Sequence, residues 1–137
     1  MICYAIIDTN VLVSALLSSK EDAATVQIIG KVIIGEIVPV YSNLITKEYR
    51  EVLSRKRFGF SGDVINYLLS AIETYGILID PAPSGVILPD MKDLPFYEVV
   101  LEKRNDETYL VTGNIKHFPK EPFIVTPREL LDILQRN

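Results

Sequence analysis

The chain has 137 residues, the size of one ordinary domain, and can bury roughly two thirds of its unfolded surface without a disulfide or metal staple. Its 48 % apolar and 23 % charged residues are ordinary globular composition. The net charge of −4 and a pI of about 5.0 exclude a broadly basic nucleic-acid-binding surface, but not a local basic strip.

Cys3 is the only cysteine. It excludes an internal disulfide, which suits a reducing cytosol, and its place in an apolar run predicts plain core. No apolar stretch reaches the ~20 residues of a membrane span. The opening MICYAIIDTN has no basic region before its apolar run, so no signal peptide is expected and the cytoplasm is the expected location.

Cys3 to Ile7 is short and apolar, is closed by Asp8-Thr9-Asn10, and reads as a buried strand. Val11 to Leu17 reads as a helix start. Glu21 to Ile34 has apolar residues at helical spacing (Ala24, Ile28, Val32), with Asp22 as its expected cap. Val38 to Tyr41 is a second strand. Asn43 to Arg55 is an amphipathic helix with Leu44, Ile45, Tyr49, Val52 and Leu53 on one side. Ser61 to Tyr75 is another helix, stopped by Gly76, and Ile77 to Ile79 is a third strand. Asp80 to Pro89, with three prolines and a glycine, is an internal loop. A helix follows Asp93 and runs to about Arg104, with Lys103 and Arg104 expected in its last turn. Tyr109 to Thr112 and Phe123 to Val125 are the last strands. Thr126-Pro127-Arg128-Glu129 matches a capping box with proline at the first helical position. The chain 1–137 therefore reads as a single α/β domain, with a parallel sheet of about five strands and helices on both faces.

Such sheets bind ligands at the carboxyl ends of their strands. Asp8 stands there and serves equally as helix cap or ligand. Glu48 lies early in the helix after the second strand, where a solvated residue is the plain alternative. Asp93 opens a helix and could be its cap, with Asp90 as a competitor. Asn114, after the fourth strand, could simply be a turn residue. Together these acceptor-rich side chains suit Mg²⁺ or Mn²⁺, which prefer oxygen ligands. The single histidine and single cysteine provide no zinc set, and no glycine-rich phosphate loop occurs.

Ile6-Ile7-Asp8-Thr9-Asn10-Val11-Leu12-Val13-Ser14 resembles the opening motif of PIN-domain proteins, in particular toxin components of VapBC-like toxin–antitoxin systems. Glu48-Tyr49-Arg50-Glu51-Val52-Leu53, Lys92-Asp93-Leu94-Pro95-Phe96 and Leu110-Val111-Thr112-Gly113-Asn114 with Phe118 resemble the later motifs. Ile124 to Glu129 resembles the last strand and helix start. The resemblance implies a three-layer PIN-like fold and a Mg²⁺- or Mn²⁺-dependent endoribonuclease acting on single-stranded RNA. Its metal-binding and catalytic acids are Asp8, Glu48 and Asp93, joined by Asn114 at a place where many relatives carry a fourth aspartate. A homodimer and a cognate antitoxin are the implied partners, and apolar surface between Val11 and Ile34 is expected to contribute to one of those interfaces.

Arg50, Arg55, Lys56, Arg57 and Lys116 are candidates for holding RNA phosphates; a solvated helix end is the other reading of Arg55 to Arg57. The competing function is a PIN-like binding module without turnover, kept open by the missing fourth acid. A phosphotransfer receiver is disfavoured because Asp8 has no adjacent acid and Asp80 precedes Pro81. A haloacid-dehalogenase-like phosphatase would need an aspartate where Asn10 stands.

Overall fold

A computed structural model describes residues 2–104 and 107–136. The elements run β1 (Cys3–Ile7), α1 (Thr9–Leu17), α2 (Ala24–Ile33), β2 (Ile37–Tyr41), α3 (Asn43–Leu53), α4 (Gly62–Tyr75), β3 (Ile77–Leu78), α5 (Leu94–Glu102), β4 (Thr108–Val111), β5 (Ile124–Val125) and α6 (Pro127–Arg136). Short 3₁₀ turns lie at Met91–Asp93 and Ile115–His117. All strand pairs are parallel and the sheet order is β3-β2-β1-β4-β5. The expected α/β PIN-like architecture is what the chain adopts.

Successive side chains of a strand point to opposite faces. Ala5, Ile6 and Ile7 are all buried, so both faces of β1 are covered, as a parallel sheet requires. Helix α5 packs on β1, β2 and β4, α6 on β4 and β5, and α2 and α4 on β2. Cys3 is buried, and burial raises its thiol pKa to about 11. It is core, as expected, and not a thiolate.

The strand order contains a reversal that matters for function. From β1 the chain builds outward to β2 and β3. It then crosses back to place β4, and beyond it β5, on the other side of β1. The gap between the carboxyl ends of β1 and β4 is therefore a topological switch point, where the chain leaves β1 toward one side of the sheet and β4 toward the other.

Local signals account for most element ends. Ser42 and Ser61 cap α3 and α4 by accepting from Ile45 N and Val64 N. The capping box closes on itself: Glu129 N donates to Thr126 Oγ1 at 3.1 Å, and Thr126 N to Glu129 Oε1 at 2.9 Å. Gly76 ends α4, where an added Cβ would stand 2.4 Å from Ile72 O and 2.6 Å from Pro39 O.

Four expectations are corrected. Asp22 does not cap α2; the helix starts one residue later, with Ala23 at the cap position, and Asp22 uses its carbonyl to accept from Gln27 Nε2. Leu44 is 64 % exposed although Ile45, Tyr49 and Leu53 are buried, because it precedes the stripe that turns inward. Helix α5 ends at Glu102, so Lys103 and Arg104 lie beyond its last turn. They cover aromatic faces instead, Lys103 Nζ lying 4.1 Å from the Tyr4 ring centre and the Arg104 guanidinium 4.0 Å from that of Phe123. Helix α3 likewise stops at Leu53, short of Arg55.

Candidate functional site

Asp8 directly follows β1 and Thr112 directly follows β4, so the two flank the switch point. Thr112, wholly buried, donates from Oγ1 to Asp8 Oδ2 at 2.7 Å. The same hydroxyl accepts from Asn114 N at 3.0 Å, which fixes the loop leaving β4. Asn10 Nδ2 donates to Asp8 Oδ2 at 3.2 Å and its Oδ1 accepts from Gly113 N at 3.3 Å, a second tie across the crevice. Asp8 occupies the cap position of α1 yet makes no side-chain capping bond. Its carboxylate, 6 % exposed, is committed to the crevice.

Glu48 enters from the second turn of α3 and accepts a short hydrogen bond from Thr9 Oγ1. Tyr49 beside it is buried and donates from its hydroxyl to Ile7 O, pinning the last residue of β1. Asp93 sits where α5 begins. Asp90 takes the local capping role by accepting from Lys92 N, and Asp93 makes no capping bond of its own. Asp93 Oδ2 instead meets His117 Nδ1 at 3.2 Å.

Burial raises the pKa of each of the three carboxyls. The Thr112 hydrogen bond pulls Asp8 back down, and the Thr9 hydrogen bond does the same for Glu48. The charges of Asp8 and Asp93 push Glu48 up further, and those of Asp8 and Asp90 push up Asp93. The three groups thus form one mutually repelling cluster. Among the described residues, His117 is the one potential cation that lowers any of these pKa values, acting on Asp8 and Asp93. Repulsion of this kind is relieved by a cation, and the oxygen donors are those a hard divalent ion prefers. Among the described residues, no three His, Cys, Asp or Glu side chains already stand as a group set to hold a metal ion. The carboxylates are engaged instead by Thr112 and Asn10, by Thr9 and by His117.

Asn114 is exposed at the mouth of a side cleft lined by Asn10, Val11 and Gly113, and hydrogen-bonds here through its backbone. Arg50, Arg55, Lys56, Arg57 and Lys116 are exposed and none touches the carboxylates; Arg50 donates to Asn66 Oδ1 at 3.0 Å. In the sequence Thr9 only closes the first strand, and Thr112 and His117 carry no assigned role. Their signal was position alone, directly after a strand or in the turn that follows one. A cavity of about 600 Å³ lined by Ile2, Cys3, Lys31, Val38 and Leu134 opens at the amino-terminal edge of the sheet, away from these residues. The carboxylate cluster is at the other edge.

A comparison with curated proteins gave no match to this chain. A protein-family model described as PIN domain matches residues 4–116. That span contains the carboxyl ends of both strands of the switch point, the three carboxylates, the two threonines and Asn114, and the chain belongs to the PIN-domain family.

Proposed function

We propose that the protein is a metal-dependent endoribonuclease that hydrolyses single-stranded RNA at the crevice between β1 and β4, with Asp8, Glu48 and Asp93 as its acidic residues. PIN domains are generally nucleases that use divalent metal ions, and this chain is one of them. The observation that carries the reading is that three carboxylates from different elements meet at the switch point, Asp8 and Asp93 both pushing the Glu48 carboxyl up and Asp8 pushing that of Asp93.

Asp8, Glu48 and Asp93 would hold Mg²⁺ or Mn²⁺, which when bound supplies a Lewis acid that acidifies water and draws charge from the phosphate. The chain's own residues orient these ligands. Thr112 and Asn10 fix one oxygen of Asp8, Thr9 fixes one of Glu48, and His117 one of Asp93. Asn114 offers a carbonyl oxygen without charge. The motif resemblance supports a role as the toxin of a toxin–antitoxin pair, partnered by a cognate antitoxin and a second copy of the chain. Leu17 and Ile34, 58 % and 69 % exposed at the ends of α1 and α2, are the apolar surface there for such contacts.

Labelled single-stranded RNA incubated with the protein and Mg²⁺, Mn²⁺ or a chelator tests the reading, beside Asp8→Asn and Asp93→Asn. Cutting that needs the ion and both carboxylates supports it. Mn²⁺ should also raise the melting temperature of the parent by mass action, and much less that of either variant. Asn114→Asp should strengthen that effect. Stabilisation by Mn²⁺ with no RNA cut would favour the binding module. No response to Mn²⁺ in any of these proteins would remove the metal site.

A further inference from the structure

The loop between α3 and α4 contains Arg55-Lys56-Arg57-Phe58-Gly59-Phe60, three consecutive cations in a chain of net charge −4. Its backbone is a tight turn: Phe58 N donates to Arg55 O at 3.1 Å and Gly59 N to Lys56 O at 3.2 Å. Gly59 has φ +69°, in the left-handed region that glycine adopts without strain. The turn leaves Arg55, Lys56 and Arg57 exposed. The Phe58 and Phe60 rings lie 12° from parallel with centroids 5.5 Å apart, and the Arg57 guanidinium lies 4.8 Å from the Phe58 ring centre. Phe60 packs against the core, so the stack is anchored at its base while Arg57 stays exposed.

Packing accounts for Phe60 but not for the cations around the stack. Arg55 meets Glu51 only at 3.7 Å between exposed groups, a contact of little energetic weight. Lys56 and Arg57 make no ion pair among the described residues. Cations beside a planar stack are the chemistry that holds a single-stranded nucleic acid, whose phosphates are paired while its bases stack on rings or guanidinium planes. Glu48 lies five residues, about 7.5 Å along the helix at 1.5 Å per residue, before the end of α3 at Leu53, and Arg55 follows two residues beyond that end.

We propose that this loop is a second contact surface for the substrate strand: Arg55, Lys56 and Arg57 meet backbone phosphates, and the Arg57–Phe58 stack receives a base. The identity of the strand as RNA rests on the nuclease reading above.

The test is anisotropy of a short fluorescein-labelled oligouridylate in chelator, so that binding is read without cleavage. Phe58→Leu keeps apolar volume but removes the ring, and should weaken binding about five-fold or more, the effect of one stacked base. Phe58→Tyr should bind as the parent does. Lys56→Ala and Arg57→Gln, both at exposed positions, should each lower the slope of log affinity against log salt by about 0.7. An RNA duplex of the same length should be insensitive to Phe58→Leu. Thermal melts of the variants separate lost binding from lost folding, and the exposed-cation variants decide the matter if Phe58→Leu is unstable. No binding by the parent, parental affinity in Phe58→Leu, or unchanged salt slopes would overturn the proposal. Loop variants that lose binding in a protein that cuts nothing would uphold this surface and sink the nuclease reading. Loop variants that bind and cut like the parent would do the reverse.

Discussion

Replacing Thr112 by valine probes the site without touching a carboxylate. The side chain is wholly buried and its hydroxyl is fully used, donating to Asp8 Oδ2 at 2.7 Å and accepting from Asn114 N at 3.0 Å. Valine keeps the shape and loses both bonds. A hydrogen bond to an ionised partner contributes about 1.5–3 kcal/mol and one between neutral groups about 0.5–1.5 kcal/mol. Asn114 is exposed, so its amide can turn to water, and the extra buried methyl returns about 0.8 kcal/mol. The net loss at neutral pH should be about 1.5–3 kcal/mol, a urea midpoint shift on the order of 1 M for a domain of this size.

The pH dependence of that loss has a definite sign. Burial holds the Asp8 carboxyl above its ordinary value and the Thr112 hydroxyl pulls it partly back. The native state therefore binds this proton more tightly than the unfolded chain. Ionising Asp8 costs stability above the raised pKa, and that cost vanishes as pH falls below the ordinary carboxylate range. Without Thr112 the pKa climbs further. The deficit of Thr112→Val should thus be largest at neutral pH and shrink as pH falls through the raised value. Urea titrations of both proteins at neutral and acidic pH measure it. A deficit under about 0.5 kcal/mol, or one equal at both pH values, would refute the assigned Thr112–Asp8 bond as a stabilising contact.

Asp8→Asn removes a charge that burial disfavours and that pushes up Glu48 and Asp93, while its amide oxygen can still accept from Thr112. Above the raised pKa it should melt no lower than the parent, with the advantage fading in acid; a large drop at neutral pH would contradict the electrostatic account. Tyr49→Phe strands the Ile7 carbonyl, which should cost about 1–3 kcal/mol in urea unfolding, and an unchanged midpoint would show that bond to be idle. Gly76→Ala forces a Cβ onto two backbone oxygens, so a loss of about 1–3 kcal/mol is expected, and a fully stable variant would mean that the approach of α4 to β2 is looser than described.

Much of the fold was legible because it is written in local chemistry. Short apolar runs closed by polar turns marked all five strands; the first has the bounds read for it, and the other four move by a residue at one end or both. Thr126 and Glu129 announced a capping box, and the box is there with both bonds made. Signals failed where one residue type serves two purposes locally. Asp22 looked like a cap two positions from the real helix start, and Leu44 looked like core one position before the buried stripe. The candidate acids could be named because Asp8 and Asp93 fall at element starts, but a helix cap and a ligand look identical in one dimension. Only the tertiary structure separated them, by bringing the Thr112 hydroxyl onto Asp8 and the His117 ring onto Asp93 from across the sheet edge. The supporting residues were hidden for a related reason. Thr112 and Asp8 are 104 positions apart, and Thr9 and Glu48 are 39 apart. The first pair meets because β4 is laid beside β1 on the side away from β2, the second because β2 lies on the other side of β1 and α3 packs against α1; both are choices made by burial of the whole sheet and not by any residue in the pair.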